Sequence, residues 1–376
     1  MKRHIFSAIK NDLVRKMILV TGPRQVGKTH LAKMMMPEFT SAQYLNFDVP
    51  ADADVIRSRS WPLRCELLIF DELHKMHEWK QYLKGVFDGR DQGQAILVTG
   101  SARMETFRQA GESLAGRYFH FHLLPFSVRE LAGEMSPGEA LAQLNTLGGF
   151  PEPFLSGSAD HAARWRSQYY TDLVREDILE FGRVNELRVM KILLEMLRSR
   201  TGSPLSFKAI AEDLQVAPQT VRRYVSILES LYIVFLVRPF HRNVARAILK
   251  EPKLYFYDTG LVIGDEGARL ENTFAVSLLK HVRFINDTTA KGLLLAYLRT
   301  KEGREVDFVL VEGETVRELI EVKTADANPA PALIYFKERF FNTARCVQAV
   351  MHLRREQCLS CVEIREAASY LAELDA

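Results

Sequence analysis

The fold of this chain is decided by residues 17–29, which read MILVTGPRQVGKT. The apolar start of this stretch predicts a buried strand, the chain turns at Gly22, and a helical pattern begins at Lys28. Gly22, four further residues and then Gly27-Lys28-Thr29 give the spacing of a phosphate-binding loop in its required place, between a strand and a helix. Glycines allow backbone N–H groups to converge on a phosphate, and the helix N-terminus adds partial positive charge.

This stretch predicts a site for ATP with Mg²⁺. Lys28 is expected to reach the β- and γ-phosphates, and the Thr29 hydroxyl is expected to hold the metal ion. The residues expected to surround the nucleotide are those of the loop itself: Gly22, Pro23, Arg24, Gln25, Val26, Gly27, Lys28 and Thr29.

A second apolar strand supports this interpretation. Residues 66–72 read ELLIFDE, so the predicted strand ends in two acids, 43 residues after Lys28. A strand buried in a parallel sheet points its terminal side chains at the ligand crevice beside the first βα turn. Asp71 fits a ligand of hydrated Mg²⁺, and Glu72 fits the base that orients the attacking water. We therefore expect this half of the protein to hydrolyse a nucleoside triphosphate.

Residues 95–101, AILVTGS, predict a further buried strand that ends in hydroxyl side chains. In an ATPase core with an additional strand, this position senses the γ-phosphate. Ser101 is expected to hydrogen-bond the attacking water, with Thr99 as the alternative. Asp48 follows another predicted strand, residues 44–47, and either faces the nucleotide or simply ends that strand.

Composition describes an ordinary soluble protein. The chain has 376 residues, of which 47% are hydrophobic and 26% charged, so it suits two to four domains. Its net charge of +3 means that any surface for nucleic acid must be local. No apolar run is long enough to span a membrane, and Lys10 and Asp12 interrupt the first apolar region too early for a secretory signal. Four cysteines, with a single Cys-x-x-Cys, favour neither a disulfide framework nor zinc, and a cytoplasmic location is expected.

Several motifs together resemble one family. They are GPRQVGKT at residues 22–29, FDE at 70–72, TGSA at 99–102, LAGRY at 114–118 and LLPFS at 123–127. The chain is similar in these motifs to prokaryotic AAA-type ATPases that carry a C-terminal domain of unknown function. This resemblance implies a P-loop AAA-type core at residues 1–125, a helical lid at 126–184, a winged helix at 185–250 and a restriction-endonuclease-like α/β domain at 251–376. It also implies a homo-oligomer.

The resemblance further implies a role for Arg117, which matches the Gly-Arg pair of the family pattern. Arg117 is a candidate arginine finger that acts on ATP bound by a neighbouring subunit. The alternative is an arginine that pairs with an acid of the lid.

Residues 185–250 differ from the rest of the chain in charge. Eleven lysines and arginines against five acids give this segment a net charge of +6, whereas the remainder carries −3. Ser206 can cap a helix over residues 207–214, Pro218 can open a second helix, and a strand of a wing is predicted next. One polar stripe of the second helix suits hydrogen bonding in a DNA major groove, and it contains Gln219, Arg222, Arg223 and Ser226. The alternative is a winged helix that packs only against the lid or another subunit.

A predicted hairpin carries a second candidate site. Its strands are residues 304–310 and 318–323, and period-2 alternation buries Ile320 and Val322 on the face opposite Leu319. The hairpin can bring Asp307 beside Glu321, with Lys323 on the same face as Glu321.

These three residues resemble the Asp, Glu-x-Lys core of restriction-endonuclease-like nucleases, and Glu271 matches the acid that such nucleases carry on a helix. Asp307, Glu321 and Glu271 are then expected to bind Mg²⁺ or Mn²⁺, while Lys323 steadies the attacking hydroxide. The alternatives are a surface hairpin of paired charges and a degenerate fold that binds nucleic acid without cutting it.

We therefore predict a multidomain α/β protein that couples Mg²⁺-dependent ATP hydrolysis to the handling of nucleic acid, DNA by preference. A C-terminal nuclease or nuclease-derived DNA-binding domain completes this prediction. The alternative is an ATP-dependent switch or scaffold that recruits protein partners and cuts nothing. Stimulation of ATP turnover by DNA separates the two.

Overall fold

The computed structural model describes residues 3–62, 64–100, 114–179, 184–241, 250–325 and 328–376. The chain divides into two units, Met1–Leu124 with Asp287–Thr289 and Pro125–Asn286 with Ala290–Ala376. The predicted domain boundaries near residues 185 and 251 lie within the second unit and stay predictions.

Five parallel strands form the sheet of the first unit. They are β1 (Met17–Thr21), β2 (Ala42–Asn46), β3 (Leu67–Asp71), β4 (Ala95–Thr99) and β5 (Tyr118–His122). Their spatial order is β2-β3-β4-β1-β5, so β4 is inserted between the strand that precedes the phosphate loop and the strand that ends at Asp71. The predicted parallel sheet is thereby confirmed, including its additional strand.

Helices cover this sheet, which explains why its central strands are continuous apolar runs in the sequence. The helices are α1 (Phe6–Leu13), α2 (Lys28–Met35), α3 (Pro50–Ser58) and α4 (Trp79–Asp88). Every residue of β1, β3 and β4 is buried, as expected for strands covered on both faces. Trp79 and Leu83 of α4 pack in one core cluster with Phe70, which fixes the end of β3 from which Asp71 projects.

The second unit begins with helices. They are α5 (Val128–Leu131), α6 (Pro137–Leu147), α7 (Pro151–Ser156), α8 (Ala159–Leu179), α9 (Val184–Arg198), α10 (Phe207–Leu214) and α11 (Pro218–Ser230). Ser136 and Glu139 form a capping box at the start of α6. The Ser206 hydroxyl accepts a hydrogen bond from the Ala209 N–H, so α10 begins where the sequence predicted. Pro218 occupies the first turn of α11.

An eight-stranded sheet follows. Its strands are β6 (Val234–Pro239), β7 (Lys253–Phe256), β8 (Leu293–Arg299), β9 (Glu305–Glu312), β10 (Thr315–Lys323), β11 (Arg345–Val350), β12 (Gln357–Leu359) and β13 (Val362–Glu366). Their order is β12-β13-β11-β10-β9-β8-β6-β7, and the accompanying helices are α12 (Glu266–Thr289), α13 (Pro331–Arg339) and α14 (Ala367–Ala372). Strand β6, predicted as part of a wing, pairs with β7 and β8 and so belongs to this sheet.

The predicted hairpin is present as the antiparallel pair β9–β10, but its burial differs from the predicted pattern. Leu319 is as fully buried as Ile320, although alternation places the two on opposite faces. The reason is α13, whose Leu333 and Phe336 pack in one cluster with Leu319. The sheet is therefore covered on both faces at this point. Within the described residues, no helix has the length and apolarity needed to cross a membrane.

Candidate functional site

The phosphate loop, residues 22–29, connects the end of β1 to the start of α2. Gly22 has a φ of 154°, and a Cβ atom there would lie 2.1 Å from the carbonyl oxygen of Leu123, so only glycine fits. Gly27 has a φ of 99°, a left-handed conformation that glycine adopts without strain, and it directly precedes the helix. The two glycines of the motif therefore set the path of the loop.

Lys28 is the first residue of α2, and only 6% of it is exposed. Its Nζ donates hydrogen bonds to the carbonyl oxygens of Gly22, at 3.0 Å, and Pro23, at 2.6 Å. Burial lowers the pKa of Lys28 to about 8, although the nearby Glu72 and Asp71 carboxylates favour the charged form. An anion bound in the loop would stabilise that charge, which is what a phosphate-binding lysine requires.

Asp71 joins the phosphate loop to the end of β3. Its Oδ2 accepts hydrogen bonds from the Thr29 hydroxyl at 2.7 Å and from the Tyr44 hydroxyl at 2.6 Å, and its Oδ1 accepts one from the Thr99 hydroxyl. Three donors from three different elements thus orient one carboxylate.

Tyr44 was not predicted as a site residue. Burial and the hydrogen bond to Asp71 raise the pKa of Tyr44 well above its usual range, so the phenol stays a donor. The sequence predicted the strand that carries Tyr44, but not that this strand pairs with the strand of Asp71.

Glu72 follows Asp71 in a left-handed backbone conformation, with a φ of 56°. Such a conformation costs a residue with a side chain about 1–3 kcal/mol and often marks a functional position. The pKa of Glu72 is raised above its usual value, mainly by burial and also by the neighbouring Asp71 carboxylate. The Lys28 ammonium opposes this effect. His74 Nδ1 lies 3.6 Å from the Glu72 carboxylate.

The residues present fit a nucleoside triphosphate with Mg²⁺. The loop offers a buried ammonium and backbone N–H groups, and Thr29 and Asp71 offer the hydroxyl and carboxylate oxygens that Mg²⁺ prefers. The bond between these two side chains brings both oxygens to one place. Ser101, the predicted sensor, lies outside the described residues, and the alternative, Thr99, contacts Asp71 and so helps to orient it.

Arg117 lies at the opposite edge of the sheet from the phosphate loop. Arg117 directly precedes β5, whose first residue pairs with the first residue of β1. The phosphate loop begins at the other end of β1, five residues away at about 3.3 Å per residue. Its guanidinium donates to both oxygens of Asp88, at 2.8 and 3.0 Å. Arg117 therefore does not reach the phosphate loop of its own chain, and its partner is an acid of the first unit rather than of the lid. Its role on a neighbouring subunit stays a prediction.

In the second unit, helix α12 and strands β9 and β10 bring four acids together, and we call them the acidic cluster: Glu271, Glu305, Asp307 and Glu321. The register that pairs Ile320 with Phe308 puts Glu321 beside Asp307, as the hairpin predicted.

Lys323 Nζ lies 2.8 Å from Glu321 Oε1, so the predicted lysine contacts the predicted acid. Burial raises the pKa of Glu321 to about 7, and Asp307 adds to the effect. The same two causes raise the pKa of Glu271 to about 7.

A second lysine, Lys253, lies within the acidic cluster. Its Nζ is 2.7 Å from Glu305, 3.2 Å from Glu271 and 3.4 Å from Asp307, and the residue is 1% exposed. Burial alone would lower the pKa of Lys253, but the three carboxylates raise it above its usual range. The Tyr255 hydroxyl donates to Glu271 at 2.7 Å.

Sequence reasoning missed Lys253, Tyr255 and Glu305. A lysine that opens an apolar strand was the available signal, because a buried ammonium requires acidic partners. Across the part of the chain that the structure describes, no three acids, histidines or cysteines are arranged to hold one metal ion. As arranged, with Lys253 among them, the predicted metal ligands Glu271, Asp307 and Glu321 do not form a metal site.

The predicted DNA-contacting stripe lies on the outer face of α11, and we call it the basic stripe: Gln219, Arg222, Arg223 and Ser226. All four are exposed, whereas Val221, Val225 and Leu228 are buried on the opposite face. The Arg222 guanidinium lies 4.4 Å above the Phe207 ring, which orients it at the surface.

Two parts of the chain match models of known domains. Residues 14–132 match the family model of the AAA domain, and residues 138–267 match a domain of unknown function, DUF8612. The uncharacterized protein Rv2008c of Mycobacterium tuberculosis is 30% identical over 249 residues, which are 65% of this chain and 55% of that protein. The chain thus spans about half the length of this relative.

Two further proteins are similar. The uncharacterized protein MJ1637 of Methanocaldococcus jannaschii is 23% identical over 86% of this chain and 78% of its own length. Among solved structures, the Walker-type ATPase PABY2304 of Pyrococcus abyssi shares 14% identity at a TM-score of 0.44, over 68% of this chain and 93% of that chain. The restriction-endonuclease-like interpretation of residues 251–376 stays a prediction. The phosphate loop, Asp71 and Glu72 all lie within residues 14–132, the part of the chain that matches the AAA domain model.

Proposed function

We propose that this protein is a Mg²⁺-dependent ATPase that acts on nucleic acid, DNA by preference. The 2.7 Å hydrogen bond between the Thr29 hydroxyl and Asp71 carries the first part of this proposal. It joins the phosphate loop to the acidic end of β3, and metal-assisted phosphoryl transfer needs the two motifs at one point.

Each side chain of the site has a separate task. Bound Mg²⁺ would neutralise charge on the β- and γ-phosphate oxygens. Lys28 exchanges the carbonyls of Gly22 and Pro23 for phosphate oxygens, while Thr99 and Tyr44 keep Asp71 in position. Glu72 accepts a hydrogen bond from the attacking water and orients it. Its position close to Lys28 and Asp71 supports this role.

Two substitutions test the ATPase proposal. Glu72→Gln should keep nucleotide binding and lower turnover by at least about a hundredfold, because the glutamate acts on the water rather than on the bound nucleotide. Lys28→Ala should abolish binding, because Lys28 contacts the phosphates in the ground state. Binding of a fluorescent ATP analogue and release of phosphate are the measurements.

Glu78→Gln is the matched control, since Glu78 is an exposed glutamate with a φ of 58° in the same region. It should leave both quantities unchanged. Wild-type turnover by Glu72→Gln would show that another group orients the water.

The basic stripe supports the second part of the proposal, action on DNA. Its two arginines are exposed on a helix within a segment of net charge +6. Replacing Arg222 and Arg223 by alanine should weaken DNA binding and flatten its salt dependence. The slope should fall by up to about 0.9 for each duplex phosphate that the arginines no longer neutralise.

The control is Arg188→Ala with Lys191→Ala, an equal reduction of charge at exposed positions of α9, off the stripe. An unchanged slope in the Arg222 and Arg223 variant, together with ATP turnover that is indifferent to DNA, would favour the alternative, a switch or scaffold for protein partners.

A further inference from the structure

We propose that Lys253 is the resident cation of the acidic cluster, and that a divalent metal ion can enter only when the Lys253 ammonium leaves. This inference rests on the predicted nuclease-like character of residues 251–376, and it assigns a control element to that candidate site.

Lys253 contacts most of the carboxylates of the acidic cluster. Its Nζ lies within 3.4 Å of three of the four acids, so one ammonium serves most of the acidic cluster. Both oxygens of Asp307 already accept hydrogen bonds. Its Oδ1 faces Lys253 at 3.4 Å, and its Oδ2 accepts the Val322 N–H at 3.0 Å.

Charge and size make the two cations exclude one another. Mg²⁺ bonds carboxylate oxygens at about 2.0–2.1 Å, so an ion on Asp307 would lie within a few ångströms of the Lys253 ammonium. Two cations at that distance, away from bulk water, repel strongly. Lys253 already contacts Glu271 and Asp307, so a divalent ion bound by these two acids has to displace the Lys253 ammonium from them.

A buried oxygen shows where the acidic cluster retains capacity for a metal. Glu321 is 7% exposed, and among the described residues its Oε2 has no hydrogen-bond partner, while its Oε1 contacts Lys323. A buried carboxylate oxygen without a donor is costly, and a cation would satisfy it. With Lys253 removed, Glu271, Asp307 and Glu321 would supply the hard oxygen ligands that Mg²⁺ or Mn²⁺ takes.

Binding of Mn²⁺ to the full-length chain without nucleotide, followed by electron paramagnetic resonance, tests this inference. Lys253→Met should bind one Mn²⁺ at least about tenfold more tightly than the wild type, because a nearby positive charge is gone. Adding Glu321→Gln to Lys253→Met should remove this increase in affinity, which places the ion in the acidic cluster rather than at the phosphate loop. Mn²⁺ should also raise the melting temperature of Lys253→Met and leave that of the wild type unchanged.

A second variant keeps the test decisive if Lys253→Met does not fold. Lys253→Met with Glu305→Gln removes both partners of the shortest ion pair and should be milder, while keeping the three candidate ligands. Glu305→Gln alone is its control and should show no increase in Mn²⁺ affinity, because Lys253 remains.

The outcomes separate this inference from the proposal on which it rests. The wild type could bind Mn²⁺ as tightly as the Lys253 variants, in a way that depends on Glu321. This result would support the metal site and overturn the role of Lys253. If no variant shows binding that depends on Glu321, the metal-binding character of this domain falls as well.

Discussion

Lys28 and Lys253 are both buried, and their partners are opposite in kind. Lys28 donates to two backbone carbonyls at the start of α2, and burial lowers its pKa to about 8. Lys253 contacts three carboxylates, which raise its pKa above the usual range. The first lysine is prepared for an external anion, and the second already has the anions of its own chain.

The acids show the same contrast. Asp71 is held by the hydroxyls of Thr29, Tyr44 and Thr99, which are neutral donors that a metal ion can displace or join. The acidic cluster is held by an ammonium, which competes with a metal ion. Asp71 is therefore held by neutral partners, whereas the acidic cluster is held by a counter-charge of its own chain.

The largest expected difference between the two sites is in stability. Lys253→Met should lower the free energy of unfolding of the second unit by about 3–5 kcal/mol, because it leaves three partly buried carboxylates without their cation. Lys28→Met should change the stability of the first unit by less than about 1 kcal/mol, because its partners are neutral. Urea unfolding followed separately for each unit measures both, since a chain of two units need not unfold in one step.

A decrease in stability in Lys28→Met as large as that in Lys253→Met would break this comparison. Lys253→Met in the presence of millimolar Mn²⁺ sharpens it, because bound metal should restore part of the stability.

The sequence predicted the first site more completely than the second, and the reason is physical. Gly22, Lys28 and Asp71 belong to motifs whose spacing is fixed by a strand, a loop and a helix that are local in the chain. The parallel sheet, its additional strand and the bounds of α10 also followed from local patterns.

Lys253 and Glu305 could not be found in this way. Lys253 lies 54 residues before Asp307, and only the pairing of distant strands brings the two together. The covering of β10 by α13 and the membership of β6 in the C-terminal sheet depend on equally distant contacts. Tyr44 is an intermediate case, because its strand was predicted but its hydrogen bond required the register of β2 with β3.

A pair of tyrosines gives a smaller effect and a sharper comparison. Tyr44 donates to Asp71 at 2.6 Å in the first site, and Tyr255 donates to Glu271 at 2.7 Å in the second. Each hydrogen bond to a carboxylate contributes about 1.5–3 kcal/mol. Tyr44→Phe should therefore lower ATP turnover by about tenfold, because it loosens a metal ligand. Steady-state phosphate release measures this.

Tyr255→Phe is the matched change in the second site. It should lower the melting temperature and leave ATP turnover as it is, because the tyrosine is fully buried and serves Glu271. Unchanged turnover in Tyr44→Phe would mean that Thr29 and Thr99 are sufficient to orient Asp71.

The smallest expected effect is on the pH dependence of stability without metal, and it has opposite signs in the two units. Glu271 and Glu321 have pKa values raised to about 7, so between about pH 4.5 and 7 the folded second unit binds more protons than the unfolded chain. Its stability should fall as the pH rises through this window, by about 1–3 kcal/mol. Lys28 has a lowered pKa, so between about pH 8 and 10.5 the folded first unit binds fewer protons, and its stability should rise with pH.

Thermal melting of each unit in EDTA, at half-unit steps from pH 4.5 to 10, checks both signs. Glu321→Gln should flatten the fall in the second unit, because one of the two titrating carboxyls is gone, and should leave the first unit unchanged. Lys28→Met should remove the rise in the first unit alone. An equally steep fall in Glu321→Gln would mean that Glu321 does not titrate in this window and that Glu271 alone accounts for the loss of stability.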